Sequence, residues 1–499
     1  MTNAPVGFWF RAAYALWLFG IVAYFIPPAT WSPASRFAVT SAIVEHGELS
    51  IDRQVDSTGD RAFAGGHWYS DKAPVPSLLA VPTYAIFHLV DRARGTAPRF
   101  SALATADTPA VRIAVNRSWQ RGLYVCSLFT AGICGVAVGL AMFELLRRRF
   151  TATAALTGSA LAFIATPVLP YATSLYGHSV AAGFLTLGLA LAAADPDPAR
   201  PVPAWRVRLA GACLALAVGA EYIVAGPALL IGLVLIGMAP PAARVRLLSD
   251  LAIGALLPIA IIGFYHWRCF GAPWRTGYSF VVSPRFSGGH SSGLLGVHAP
   301  RPEVIFELLF GKRRGLLYVA PMAALAAPLL VWSAAKSRER AVRAAALAFV
   351  ALLLLNAGYY MWWGGAAAGP RHLVPVLGFL GFGAAAAWSR PRLRWVMLAL
   401  GLISAFNMIV VAGVGVEAPE EGDVLLGYAY RHLSEGQLGG LSGSNLGIEL
   451  GLPRAASLGP VLAWMVVGLR YLARQLPSSA EPIADRAQPF ELGASSPRS

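Results

Sequence analysis

The stretch "GHWYSDKAPVPSLLAVPTYAIFHLV", Gly66 to Val90, decides how the chain is laid out. Its second half is apolar enough to enter a bilayer. Its first half crowds an acid, a lysine, a histidine and two aromatics. If Val75 to Val90 crossed the membrane, every later loop would change sides. If it lies on the membrane surface, the later loops keep the sides their charges demand.

The surrounding composition is that of a membrane protein. Of 499 residues, 56% are hydrophobic and only 13% are charged, against about 25% charged in an average soluble domain. Apolar runs of about 15–20 residues follow one another almost to the end, the pattern of an all-α polytopic membrane protein. The net charge of +15 does not point to nucleic acid, because most basic residues sit in short loops between apolar runs. Such loops are cytoplasmic topology signals. Cys126, Cys134, Cys213 and Cys269 lie apart with no CxxC spacing and read as packing residues. The first apolar run, Ala12 to Ile26, has no small-residue cleavage site after it and reads as an uncleaved span.

The basic clusters "LLRRRF" (145–150), "RPVPAWRVR" (200–208), Arg244 with Arg246, "KSRER" (336–340) and "SRPRLR" (389–394) are each placed inside. Spans are then expected near 11–27, 122–146, 152–168, 179–194, 208–221, 225–239, 249–266, 315–333, 342–357, 374–388, 395–413 and 458–474. That is about twelve spans with both termini cytoplasmic. The Arg208–Arg246 stretch becomes a hairpin turning at "AEYIVAGP" (220–227). This arrangement holds only if Val75–Val90 stays outside as an interfacial or re-entrant element. Pro74, Pro76 and Pro82 agree, since each removes a backbone donor. One transmembrane domain, 1–474, is expected, with a long first outer loop at 28–121. Further outer loops lie at 267–314, 356–372 and 415–457, and a Pro- and Ser-rich tail at 475–499 reads as disordered. All nine histidines fall on the outer side of this layout.

Candidate residues gather in those outer segments. Lys72 reads either as an interfacial lysine that snorkels or as a point-charge ligand for phosphate. It opposes the usual charge bias and has prolines for neighbours. "FGKRRG" (310–315) breaks the bias more strongly, so Arg313 and Arg314 are candidates for an anion or for lipid headgroups. In "WWGGAAAGPRHL" (362–373) the glycines permit close backbone approach, and Arg371 can clamp a phosphate through two N–H groups. Trp363 reads as interfacial belt or cavity wall, with His372 beside Arg371. Among the first-loop acids Asp52, Asp56, Asp60 and Asp71, an acid could take a proton from a sugar hydroxyl. His67, Tyr69 and His178 (in "SLYGHSVAAGF", 174–184) face the same outer side. Glu221, at the tip of an apolar hairpin, is an ionisable group at membrane depth and is expected to brace the hairpin by accepting freed N–H groups. No Walker loop, zinc-spaced cluster, GxSxG or strand-borne GxGxxG is present, and no residue set requires a metal. The absence of a nucleotide-sugar domain fits a donor that already resides in the membrane.

The layout resembles the GT-C glycosyltransferases, polytopic enzymes that use polyprenyl-phosphate sugars and include protein O-mannosyltransferases and lipid A aminoarabinose transferases. "SRFAVTSAIVEHGELSID" (35–52) followed by "WYSDKAPVPSLLAVPTYAIF" (68–87) looks like the family's first outer loop and membrane-lying element. "GPRHLVPVLGFL" (369–380) looks like its late "RYLLPxxP" element. The resemblance implies that Lys72 contacts a carrier phosphate and that Arg371 lies near it. It also implies an extracytoplasmic site in a cell-envelope membrane, as in a bacterial inner membrane. The chain departs from the family where an acid pair should precede the Arg–aromatic–Ala stretch: Pro33 and Ala34 stand there instead.

The reading that follows is an inverting membrane glycosyltransferase. It would move a sugar from a polyprenyl phosphate to a glycolipid, polysaccharide or protein acceptor. Lys72, Arg371, Arg313 and Arg314 would hold the phosphate, and Asp71 or Asp60 would act as base. His67, Tyr69, His178, Glu221, Trp363 and His372 would line the cavity. Two rival readings are a lipid-linked saccharide flippase and a non-catalytic GT-C-like scaffold. No paired broken helices of the kind expected in transporters are seen.

Overall fold

A computed structural model describes residues 7–95, 117–193, 202–290, 292–438 and 444–476. The expected tail from 477 onward and the second half of the first outer loop, 96–116, lie outside the described residues. Within them every expected apolar run is helical. Two runs are broken where proline or glycine interrupts them. The run at 315–333 becomes Leu316–Val319 and Ala323–Lys336, and the run at 374–388 becomes Val374–Leu377 and Leu380–Trp388.

Four helices are long and apolar enough to cross a bilayer by length and composition: Trp119–Leu146, Pro241–Phe270, Arg340–Gly358 and Pro391–Val414. Pro241–Phe270 turns Leu256, Leu257, Ile259 and Phe264 outward, each more than half exposed. In water such a stripe would be a liability, whereas hydrocarbon solvates it. Its other face meets Ala204–Ala220 at small residues. A Cβ on Gly254 would lie 1.7 Å from the Arg208 carbonyl oxygen, and one on Gly211 would lie 2.0 Å from that of Leu251. Only glycine lets these two backbones approach so closely.

Several of the basic segments are tied by ion pairs. Arg149 pairs with Glu339 at 3.0 Å, Arg11 with Glu144 at 2.7 Å, and Arg208 with Asp250 at 2.8 Å. The remaining polar segments gather elsewhere, around a helix that the sequence did not announce. Trp31–His46 lies inside the expected first outer loop and is buried from Ser32 to Ala42. It lacks an apolar stripe. Small hydroxyl residues seat it instead: Ser35 donates to the Asp60 carbonyl (2.6 Å) and Thr40 to the Ser77 carbonyl (2.9 Å). The helix stops at Gly47, whose left-handed backbone (φ 69°) returns its N–H to the last turn.

Val75–Ala93 forms a helix, is not among the four long apolar ones, and docks on Trp31–His46 through Tyr84. The Tyr84 ring meets Phe37 edge-on at 4.9 Å, and its hydroxyl donates to Glu45 at 2.6 Å. Between these helices, strands Arg61–Ala64 and His67–Ser70 pair antiparallel. Their two-residue turn is Gly65–Gly66, with φ 58° and 86°, the positive values that a tight hairpin turn demands. A Gly65→Ala change forces a side chain into that region, at a cost of about 1–2 kcal/mol. The melting temperature of purified protein should fall measurably, whereas an unchanged value would show that the hairpin tolerates another turn.

Candidate active site

The hairpin's register builds the first part of the site. Arg61 lies opposite Ser70, so Asp60 and Asp71, one step beyond each, emerge side by side. Lys72 extends between them, with its Nζ 3.1 Å from Asp60 Oδ2 and 3.1 Å from Asp71 Oδ2. Burial pulls the Lys72 ammonium down, but the two carboxylate charges overcome it and hold the lysine protonated, above its usual range. Burial pushes the Asp71 carboxyl up, against the pull of Lys72.

Arg36, from the buried helix, adds a second cation. It is 2% exposed. One nitrogen donates to Ser32 Oγ (2.5 Å), and the other reaches Glu221 Oε1 (3.1 Å). Glu221 is where the chain leaves the Ala204–Ala220 helix in an extended conformation. His178 Nδ1, in the first turn of Gly177–Ala192, lies 3.3 Å from the same oxygen. A Cβ on Gly177 would fall 2.4 Å from that oxygen, so the glycine makes room for the carboxylate.

Arg371 is the third cation. It follows a loop turned by Gly364, Gly365 and Gly369, all with positive φ. Gly364 is where the Arg371 side chain passes closest, since a Cβ there would meet its Cγ and Nε at 2.9 Å. The Arg371 charge acts on Lys72, on Glu221 and on Glu417 from the late loop. Among the described residues its buried Nε has no hydrogen-bond partner, and the same holds for Asp71 Oδ1 and His372 Nε2. Burial and the Arg371 charge push His372 down to about 3, so its ring is neutral. Its ring meets those of His178 and Tyr359 edge-on, at 5.6 and 5.4 Å. Buried polar atoms left open in this way each cost about 1–3 kcal/mol, and several at one place mark a site for a polar ligand.

Aromatic rings stand beside this cluster. Gly277 packs against the Asp71 backbone, where a Cβ would come within 2.7 Å. The next residue, Tyr278, stacks on His290 at 4.2 Å, and Tyr360 bonds His290 Nε2 at 3.0 Å. Behind Glu221, Tyr222 bonds His266 (2.8 Å) at an apolar groove of about 660 Å³ lined by Val218, Ile262 and Trp274.

The structure therefore brings Lys72, Asp60, Asp71, Arg371, His178, His372 and Glu221 into one cluster. Other candidates fall elsewhere. His67 is at the hairpin tip on Asp52, at 2.7 Å, and Tyr69 packs on Phe270. Arg313 lies over Trp362 and Trp363 and pairs with Glu421 at 2.9 Å, while Trp363 Nε1 donates to Glu420. Arg314 is fully buried and spends its fork on the carbonyls of Trp363, Arg313, Gly365 and Pro419. Four donated bonds out of five N–H groups make it a brace that ties the Arg371 loop to the late loop, in place of the phosphate ligand expected from its charge. Arg36, Tyr278, His290 and Glu417 were not foreseen. Arg36 lay in plain sight in "SRFA", as a cation in a helix whose first turn carries no acid. Among the described residues no three His, Cys, Asp or Glu side chains converge in a metal-holding group.

No family model matches the chain, and no curated protein does. Solved structures do. ArnT from Cupriavidus metallidurans in the apo state is 16% identical, with TM-score 0.52 over 93% of this chain and 75% of ArnT. The same protein bound to undecaprenyl phosphate gives 16% identity, the same coverage and TM-score 0.51. The archaeal oligosaccharyltransferase AglB from Archaeoglobus fulgidus, in complex with an inhibitory peptide and a dolichol-phosphate, is 13% identical. It aligns over 97% of this chain and 62% of its own, with TM-score 0.47. The chain shares the fold of ArnT, and four of its helices are long and apolar enough to cross a membrane.

Proposed function

We propose that the protein is a membrane glycosyltransferase that moves a sugar from a polyprenyl phosphate to an acceptor hydroxyl. One observation carries the reading: Lys72 and Arg371, about 300 positions apart in the sequence, converge within electrostatic reach among buried polar groups, some without a partner among the described residues. Two fixed cations in a water-poor pocket suit a departing phosphate, whose charge grows as the bond to the sugar breaks. A donor anchored in the membrane meets such a site without any soluble nucleotide-binding domain. The apolar groove beyond Tyr222 offers its chain a path to lipid. Displacement from the face opposite the phosphate inverts the anomeric centre.

The test is incubation of purified protein with a panel of radiolabelled polyprenyl-phosphate sugars and envelope glycan, glycolipid or protein acceptors. Release of the carrier with label in the acceptor supports the reading. Labelled lipid crossing vesicles without transfer would instead favour a flippase.

The topology goes with it. About twelve spans, both termini cytoplasmic and the loop cluster outside, follow from the basic loops. A reporter fused after Arg94 should then give an extracytoplasmic signal and one after Arg149 a cytoplasmic one. A cytoplasmic signal after Arg94 overturns this layout.

A further inference from the structure

The four acids of the cluster are not equivalent. Asp60 and Asp71 both hold Lys72, and Glu221 holds Arg36. Each of these three is already committed to a cation. Glu417 makes no ion pair among the described residues. Its carboxylate accepts from the Tyr176 hydroxyl and from the Thr30 side chain, both neutral donors.

Its place is fixed from two directions. The 416–418 segment pairs with the stretch leading into Arg371: Ala368 N–H donates to the Val416 carbonyl at 2.6 Å and Ala367 N–H to that of Ala418 at 3.0 Å. On the other side, Thr30 opens the Trp31–His46 helix, whose first turn carries no acid. Glu417 thus supplies a carboxylate to a helix start that has none, beside Arg371 and on the side of Asp60.

We propose that Glu417 is the proton acceptor of the transfer reaction. This rests on the glycosyltransferase reading. The acceptor hydroxyl oxygen forms the new bond to the sugar's anomeric carbon, and its proton passes to the Glu417 carboxylate. The anomeric carbon–oxygen bond to phosphate breaks with its electron pair going to the phosphate, which leaves as the polyprenyl phosphate held by Lys72 and Arg371. Asp60 and Asp71 keep Lys72 charged and placed, and are positioning residues.

The electrostatics suit this role. Withdrawal from water pushes the Glu417 carboxyl up to about 7, against the Thr30 and Tyr176 bonds and the Arg371 charge, which pull it down. The titratable and charged groups facing it are Arg371, Asp60, Tyr176, Tyr171 and Tyr428. A base with an affinity near neutrality is ionised often enough to be ready and basic enough to take the proton.

The experiment measures transfer by wild type, Glu417→Gln and Tyr176→Phe from whichever polyprenyl-phosphate sugar the wild type uses, across pH 5–9, with undecaprenyl phosphate binding read separately. Wild-type kcat should rise with pH through an inflection near 7. Glu417→Gln should bind undecaprenyl phosphate as the wild type does, lose about 10²–10⁴-fold in kcat and lose the inflection. Tyr176→Phe removes a bond that lowers the affinity, so its inflection should move to higher pH; this variant carries the test if Glu417→Gln does not fold. A Glu417→Gln protein with wild-type kcat, or a wild-type profile flat through neutrality, overturns the assignment and leaves the transferase reading standing. Wild-type protein that transfers from no donor in the panel overturns both.

Discussion

Arg371→Ala and Lys72→Ala should each fold and lose transfer by about two to three orders of magnitude, since a charge-assisted contact to a developing charge is worth about 2–4 kcal/mol. The two losses have different origins. Arg371 has a buried Nε with no partner among the described residues and lies against Gly364, so its alanine variant removes a positioned donor and leaves the rest of the cluster intact. Arg371→Lys keeps the charge but not the planar fork, and rescue should be partial. Lys72 already neutralises Asp60 and Asp71 at 3.1 Å each. Its removal leaves two adjacent carboxylates that cannot both stay ionised, and one takes up a proton. Lys72→Ala should therefore also lose undecaprenyl phosphate binding, which a paired change, Lys72→Met with Asp60→Asn, should partly restore without restoring transfer. Transfer kinetics at saturating donor decide the matter. If both alanine variants turn over at the wild-type rate, the phosphate is held elsewhere.

The contrast between these residues and those the sequence missed has a physical basis. Helical runs were legible because lipid imposes long apolar stretches, and the basic loops supply the sidedness that the reporter fusions test. Arg371 stood out as a guanidinium after a glycine-rich loop, and Lys72 as a cation against the expected charge bias. Arg314 stood out for the same reason, yet its four bonds to carbonyls show that an outer arginine can serve the backbone as readily as a ligand. The Trp31–His46 helix was invisible because alternating Ser, Ala and Thr carry no apolar period. Its burial depends on hydroxyl bonds to Asp60 and Ser77 that exist only after folding. Glu417 lay in a loop of several acids, and nothing local separates it from Glu420 and Glu421. Only the pairing of residues 367–368 with 416–418 brings it to Arg371.

Glu221→Ala should be the most destabilising single change at the site. The Arg36–Glu221 pair is buried, with side chains 3% and 9% exposed and 3.1 Å apart. Removing one member of such a pair strands the other charge, at a cost of about 3–5 kcal/mol. Glu221→Gln keeps an acceptor for the guanidinium and should lose less. Replacing both, as Arg36→Met with Glu221→Leu, removes the stranded charge, and most of the stability should return, because a well-packed apolar pair often matches a buried ion pair. The double change also leaves the net charge of the cluster unchanged, so the fields at Lys72 and Asp71, both touched by the Arg36 charge, shift little. Melting temperatures in one detergent should therefore fall in the order double variant, Gln, Ala, with Ala lowest. Transfer by the folded double variant then separates a brace from a participant. A brace predicts activity within about tenfold of wild type, a difference of about 1.4 kcal/mol. A stable double variant that transfers nothing would instead place Glu221, and His178 at 3.3 Å from it, in the reaction itself.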